Sequence, residues 1–71
     1  MDLAAAIKYF RTARGITKQA VADDTKLSIS YVRAMENGDS IPSFLKLLAI
    51  ANALKTPLSE IVKYMEDQEK N

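Results

Sequence analysis

The side chains with which this chain could do chemistry are mostly basic, and they are unevenly placed. Lys8, Arg11, Arg14, Lys18, Lys26 and Arg33 fall within residues 1–35 against only Asp2, Asp23 and Asp24, which leaves that half at +3. Residues 36–71 carry Lys46, Lys55, Lys63 and Lys70 against Glu36, Asp39, Glu60, Glu66, Asp67 and Glu69, a balance of −2. The net charge of +1 is a weak argument for any partner, but the asymmetry says that a polyanion would meet the N-terminal half. Bond-making chemistry has little to work with. The 71 residues contain no cysteine and no histidine, which removes disulfides, thiolate nucleophiles, Cys-ligated zinc and the commonest acid–base catalyst and metal ligand. The carboxylates show no spacing that would converge on a metal. No cofactor is expected, and the chain is not expected to be an enzyme.

Those basic residues need a frame, and the composition supplies one. With 48% hydrophobic and 27% charged residues, and two glycines and two prolines, the chain reads as a folded globular domain. A domain of this length buries only about 60% of the surface its unfolded chain exposes, so its stability must come from close packing or from a partner. No apolar run reaches the length of a membrane span, and the N-terminal stretch lacks the features of a signal peptide. A cytoplasmic location is the expectation.

The hydrophobic pattern predicts helices throughout, since no segment holds a period of two. Leu3, Ile7 and Phe10, with Ala6 alongside, mark one face of a first helix over residues 2–14, stopped by Gly15. Thr17 is an N-cap for a second helix, 18 to about 25, with Val21 and Ala22 on its apolar face and Asp23 and Asp24 facing solvent. Ser28 caps a third, 29 to about 37, on which Val32 and Met35 face the core and Gly38 provides the left-handed stop. Ser43 opens a fourth to residue 54, with Phe44, Leu47, Ile50, Ala51 and Leu54 as its inner stripe. Thr56-Pro57 starts a fifth, with threonine at N-cap, proline at N1 and an inner face of Leu58, Ile61, Val62 and Met65. The domain is expected to occupy residues 1–66, followed by a polar, frayed tail at 67–71.

Two short helices joined by a tight turn match a helix-turn-helix in length and apolar placement. With Val32 and Met35 turned inward, Ile29, Ser30, Arg33 and Ala34 are left for the outer surface of the third helix. A helix that narrow enters a DNA major groove about 12 Å wide, and helix N-termini at Thr17 and Ser28 present backbone N–H groups to phosphates.

The residues that carry the pattern are Gly15-Ile16-Thr17-Lys18-Gln19-Ala20-Val21-Ala22, Leu27-Ser28, Tyr31-Val32 and Met35-Glu36-Asn37-Gly38. It continues through Pro42-Ser43-Phe44, Leu47, Ile50-Ala51-Asn52-Ala53-Leu54 and Leu58-Ser59-Glu60-Ile61, and begins upstream at Ile7 and Arg11. Over about residues 3–65 the chain resembles the Cro/C1-type (XRE-like) helix-turn-helix family. The resemblance implies an all-α, compact five-helix lambda-repressor-like domain with a central helix-turn-helix. It also implies a homodimer on a palindromic double-stranded DNA operator, acting in transcription regulation as a repressor. The third helix is then the recognition helix. Thr17, Lys18 and Gln19 contact backbone or flank the reading residues, Asn37 reaches phosphate, and Arg11 pairs with Glu36.

The remaining DNA-binding candidates are Lys26, Ser28, Ile29, Ser30, Tyr31, Arg33 and Ala34. Arg33 suits a bidentate guanine contact, with a phosphate contact as its alternative; Ser30 is promiscuous, and Ala34 touches thymine methyls. Ile29 is either a methyl reader or part of a protein-binding patch, and Tyr31 either offers its hydroxyl to the backbone or packs against the second helix. An Ile29/Ala34 face turned toward a protein, as in an anti-repressor or antitoxin-like partner, is the rival function. The family usually has glutamine where this chain has Lys18 and glycine where it has Lys26; both changes add positive charge beside the groove. Asp39 falls in a loop that often approaches the backbone, where an acid repels. Leu45 and Leu48 leave the inner stripe and are either a self-association surface or covered by the first and fifth helices. For the dimer interface the resemblance points to the fifth helix, at Leu58, Ile61, Tyr64 and Met65.

Overall fold

The computed structural model describes residues 2–70. Five helices follow one another: α1 Leu3–Ala13, α2 Lys18–Thr25, α3 Ile29–Glu36, α4 Phe44–Ala53 and α5 Leu58–Glu69. The first four begin in the same way. The side chains of Asp2, Thr17, Ser28 and Ser43 each accept a hydrogen bond from the amide three residues on, at 3.0, 3.0, 3.0 and 3.3 Å. Each cap satisfies one of the amide donors that a helix start leaves without a partner.

Three of the helix ends share a different device. After α1, the Ile16 amide donates to the Arg11 carbonyl at 3.0 Å; after α3, Asp39 donates to Ala34 at 2.8 Å; after α4, Thr56 donates to Ala51 at 3.1 Å. Each closes a six-residue loop through a residue of positive φ, namely Gly15 (67°), Gly38 (83°) and Lys55 (54°). Lys26, at φ 62°, makes the equally sharp turn between α2 and α3. Two lysines therefore hold a conformation that glycine adopts without a steric cost.

The core is one cluster fed by every helix: Ile7 and Phe10 from α1, Val21 and Ala22 from α2, Val32 and Met35 from α3, Ile50 and Leu54 from and just after α4, Ile61 and Met65 from α5. Helix α2 packs between α3 and α4, while α1 packs on α3 and α5. Phe10, Tyr9 of α1 and Tyr64 of α5 form an aromatic group, Tyr9 and Tyr64 stacked with centroids 4.5 Å apart and Phe10 edge-on to both.

The fold departs from expectation at three places and decides a fourth that the sequence left open. Phe44 is exposed rather than part of the inner stripe. Helical side chains lean toward the N-terminus, so a residue in the first position of α4 projects past the end of the helix, beyond the reach of its neighbours. Leu45 and Leu48 are also exposed, which removes the alternative that α1 and α5 cover them. Thr56 does not cap α5, whose N-cap is Pro57 with no side-chain bond. Instead its buried hydroxyl donates to the Leu54 carbonyl at 2.9 Å and accepts from Arg14 Nε at 2.8 Å, tying the end of α1 to the α4–α5 connection. Finally, α5 continues through Asp67, Gln68 and Glu69, beyond the boundary expected at Glu66, on i-to-i+4 bonding that needs no apolar face. Asn71, the last residue of the expected tail, lies outside the described residues.

A second polar contact across the apolar frame joins α1 to α3. Arg11 Nε donates to Glu36 Oε2 at 2.6 Å and Arg11 Nη2 to Glu36 Oε1 at 3.0 Å, a two-pronged pair whose side chains are 12% and 2% exposed. The remaining guanidinium nitrogen, Nη1, donates to the Ile16 carbonyl at 2.9 Å. One arginine thus joins α1, the entry to α2 and the last residue of α3.

Removing one member of such a pair strands the other without its counter-charge, at about 3 kcal/mol or more. A chain of this size has roughly 4–10 kcal/mol in all, so the loss is a large fraction of it. Arg11→Ala and Glu36→Ala should each lower the urea midpoint strongly, and the double variant Arg11→Met/Glu36→Leu should lose less than the two single losses added together. Lys55→Gly relieves a left-handed backbone and should raise stability by about 0.5–1 kcal/mol, a shift of a few degrees in the thermal midpoint followed by circular dichroism.

Candidate nucleic-acid interface

Helix α3 has eight residues and divides cleanly. Val32 and Met35 are buried, while Ser30, Arg33 and, one residue beyond the helix, Asn37 are exposed at spacings of three and four. They form one outward stripe. Ile29, Tyr31 and Ala34 lie half-buried on its two flanks, and Ile29 and Tyr31 also pack against the core. Ile29 is therefore less of an outer-face residue than its position suggested. It sits three residues before Val32, and helical geometry brings it partway round to the same side.

The residues expected around this stripe fall on the adjoining elements. Thr17 and Gln19 are exposed and Lys18 is half-buried at the start of α2; Lys26 and Ser28 are exposed in the turn that leads into α3. Because the Thr17 and Ser28 hydroxyls cap the third amide of each helix, the first two amides, those of Lys18 and Gln19 in α2 and of Ile29 and Ser30 in α3, have no intrahelical acceptor. Amides so placed, at the positive ends of two helix dipoles, suit phosphate oxygens.

Two side chains are already engaged. Gln19 Nε2 donates to Asp23 Oδ1 at 2.9 Å along the surface of α2, which positions the amide and leaves its carbonyl oxygen and second N–H available. Tyr31 lies beneath Lys46 of α4, whose ammonium nitrogen is 4.9 Å from the ring centroid. Lys46 thereby becomes a fourth cation beside Lys18, Lys26 and Arg33. Nothing in the order of residues points to it, since its place depends on how α4 packs on α2, the neighbour of α3. Arg14, by contrast, is tied to Thr56 and lies 5.8 Å from the Phe10 ring centroid, so it serves the frame.

The residues expected at the dimer interface lie far less openly. Ile61 and Met65 are core residues, and only Leu58 and Tyr64 are half-buried, the latter against Tyr9 and Phe10. An inner-face assignment and an interface assignment compete for the same side chains, and packing within the chain takes Ile61 and Met65.

Chemically the surface offers cations, hydroxyls, an amide and free backbone N–H groups, which is recognition chemistry. Among the described residues no group of His, Cys, Asp and Glu side chains could hold a metal ion, and no helix is long and apolar enough to cross a membrane.

With this geometry in view, similarity to known proteins becomes specific. The solved structure of the clp gene regulator ClgR from C. glutamicum superposes with a TM-score of 0.82 at 26% identity, over 86% of this chain and 79% of that one. The wild-type restriction-modification controller protein C.Esp1396I superposes with a TM-score of 0.91 over 99% of this chain and 92% of that one; at 17% identity the likeness is one of fold. No curated protein sequence matches. The helix-turn-helix family pattern matches residues 7–61, which span α1 to the start of α5 and enclose the Arg11–Glu36 pair and the whole α2–turn–α3 unit. The chain belongs to the helix-turn-helix family, of the Cro/C1 (XRE-like) type, and is homologous to transcriptional regulators.

Proposed function

We propose that this protein is a sequence-specific double-stranded DNA-binding transcriptional regulator, a repressor that binds a palindromic operator as a homodimer in the cytoplasm. The observation that carries the reading is the outward stripe Ser30–Arg33–Asn37 on α3, set between two helix N-termini and bordered by Lys18, Lys26 and Lys46. In the major groove Arg33 donates two hydrogen bonds to a guanine, Ser30 reads whichever neighbour accepts or donates, and Ala34 with the exposed edge of Ile29 meets thymine methyls. Thr17, Lys18, Gln19, Lys26, Ser28, Tyr31 and Asn37 serve the phosphate backbone, which sets the register in which the bases are read.

The mechanism is occupancy. One small module buries about 600–1,000 Å² on DNA, too little for tight binding, and two copies with their α3 helices about 34 Å apart occupy successive turns of the groove. The description of ClgR as a gene regulator supports the same reading. The rival, a protein-binding module using the Ile29/Ala34 face, is disfavoured by the half-burial of both residues, which leaves little apolar surface there.

The test is selection from a random-sequence duplex pool at about 50 and 200 mM salt, with sequencing of the bound fraction. An inverted repeat should be enriched, and affinity for it should fall about a thousandfold or more between the two salts if the dimer makes six to ten phosphate contacts. Arg33→Ala should cost about 1–3 kcal/mol and relax the choice of one base pair in each half-site. Absence of binding at the lower salt would contradict the proposal.

A further inference from the structure

Nearly all the large apolar side chains that the core leaves outside occur in one stretch. Ile41, Phe44, Leu45 and Leu48 are 85, 65, 76 and 37% exposed. Phe44, Leu45 and Leu48 share one face of α4 at helical spacing, and Ile41 precedes them by three residues. At these exposures four such side chains present on the order of 500 Å² of apolar surface, the upper end of what a monomer leaves in one patch.

We propose that this patch is the surface on which a second copy of the chain docks, about a twofold axis through the first turns of α4. The proposal names the contact surface of the dimer proposed above and rests on that reading. Three observations select a second copy as the occupant. The first is size: a stable interface takes about 800 Å² from each partner, apolar at its centre and polar at its rim, and this patch has the dimensions of that centre.

The second is charge. A surface that meets itself places every residue near its own mate, so a charge at the centre repels its copy. From residue 40 to residue 49 the only charged side chain is Lys46, and its ammonium is drawn away over the Tyr31 ring. The centre of the patch is therefore neutral. The third is shape. An open cleft of 290 Å³, lined by Leu3, Ala4, Met35 and Ile41 with Asp2, Gly38 and Ser40 at its polar side, lies immediately beside the patch. It puts a mainly apolar recess next to apolar projections, as a self-complementary contact requires.

Helix α5 has less to offer, with Ile61 and Met65 inside the core and Tyr64 stacked on Tyr9. Lys46 of α4 reaches over Tyr31 of α3, so a partner on this patch lies close to the candidate DNA-reading face.

Sedimentation equilibrium of the full chain without DNA, from micromolar to millimolar, reads the association directly. Leu45→Lys should raise the dimer Kd by about thirtyfold or more, because a twofold contact receives the substitution twice and sets the two lysines against each other. Because Leu45 is exposed, the variant's thermal midpoint should match that of the wild type at concentrations where both are monomeric, which separates lost association from lost folding. The absence of cysteine permits a second readout. Leu45→Cys should cross-link to its own copy through a short bis-maleimide, and Lys63→Cys, on α5, should not. A wild-type chain that stays monomeric to millimolar concentration, or a cross-link at position 63 and none at position 45, would overturn the proposal. A monomer that still enriches an operator would overturn this surface alone; a dimer disrupted by Leu45→Lys whose wild-type form binds no DNA would overturn the DNA reading and leave the surface standing.

Discussion

The arrangement of the whole helix-turn-helix unit depends on the contact between Arg11 and Glu36. The core contacts between α1 and α3 are apolar, and apolar contacts resist separation without fixing a rotation or a register. The guanidinium adds direction. Two of its nitrogens fix the carboxylate that ends α3 and the third fixes the carbonyl just before the cap of α2, so both helices of the pair are referred to one rigid, planar group. Near-complete burial of Glu36 removes the screening that makes surface ion pairs weak, and two well-formed hydrogen bonds offset its desolvation.

That constraint matters because α3 is short. With two of its eight residues buried and four more half-buried, only a narrow stripe remains for a partner. A tilt that exposed Met35 or buried Arg33 would remove the stripe altogether. The tight turn through Lys26 and the caps at Thr17 and Ser28 set the ends of the two helices, and the Arg11–Glu36 pair sets their attitude to the rest of the domain. The stability lost to two lysines in left-handed backbone is offset by the common core to which all five helices contribute.

Much of this was legible in the residues because it is local. Caps, glycine stops and the three- and four-residue spacing of apolar side chains are decided within a turn or two of chain, and Thr17, Ser28, Ser43, Gly15 and Gly38 act where their chemistry places them. What was not legible depends on neighbours distant in sequence. Phe44 has the right spacing for the inner stripe of α4 but is exposed at the helix's first position, and spacing alone carries no information about where packing stops. Thr56 has the composition of a cap and is instead claimed by Arg14, 42 residues away. Lys46 joins the basic edge of α3 only through the docking of α4. The stripe Ser30–Arg33–Asn37 follows from periodicity; the half-burial of Ile29 follows from the packing around the start of α3.

The most direct measurement of the central claim is an amide nitrogen–proton correlation spectrum of the labelled chain, recorded while a duplex carrying its selected site is added. If α3 and the two helix N-termini form the reading face, the largest shifts fall on the amides of residues 17–19, 28–34 and 37, with smaller ones near Lys46, and the resonances of Ile7, Ile61 and their core neighbours hold their positions. Shifts confined to α5 and the far side of α1, or none at all on α3, would contradict the account.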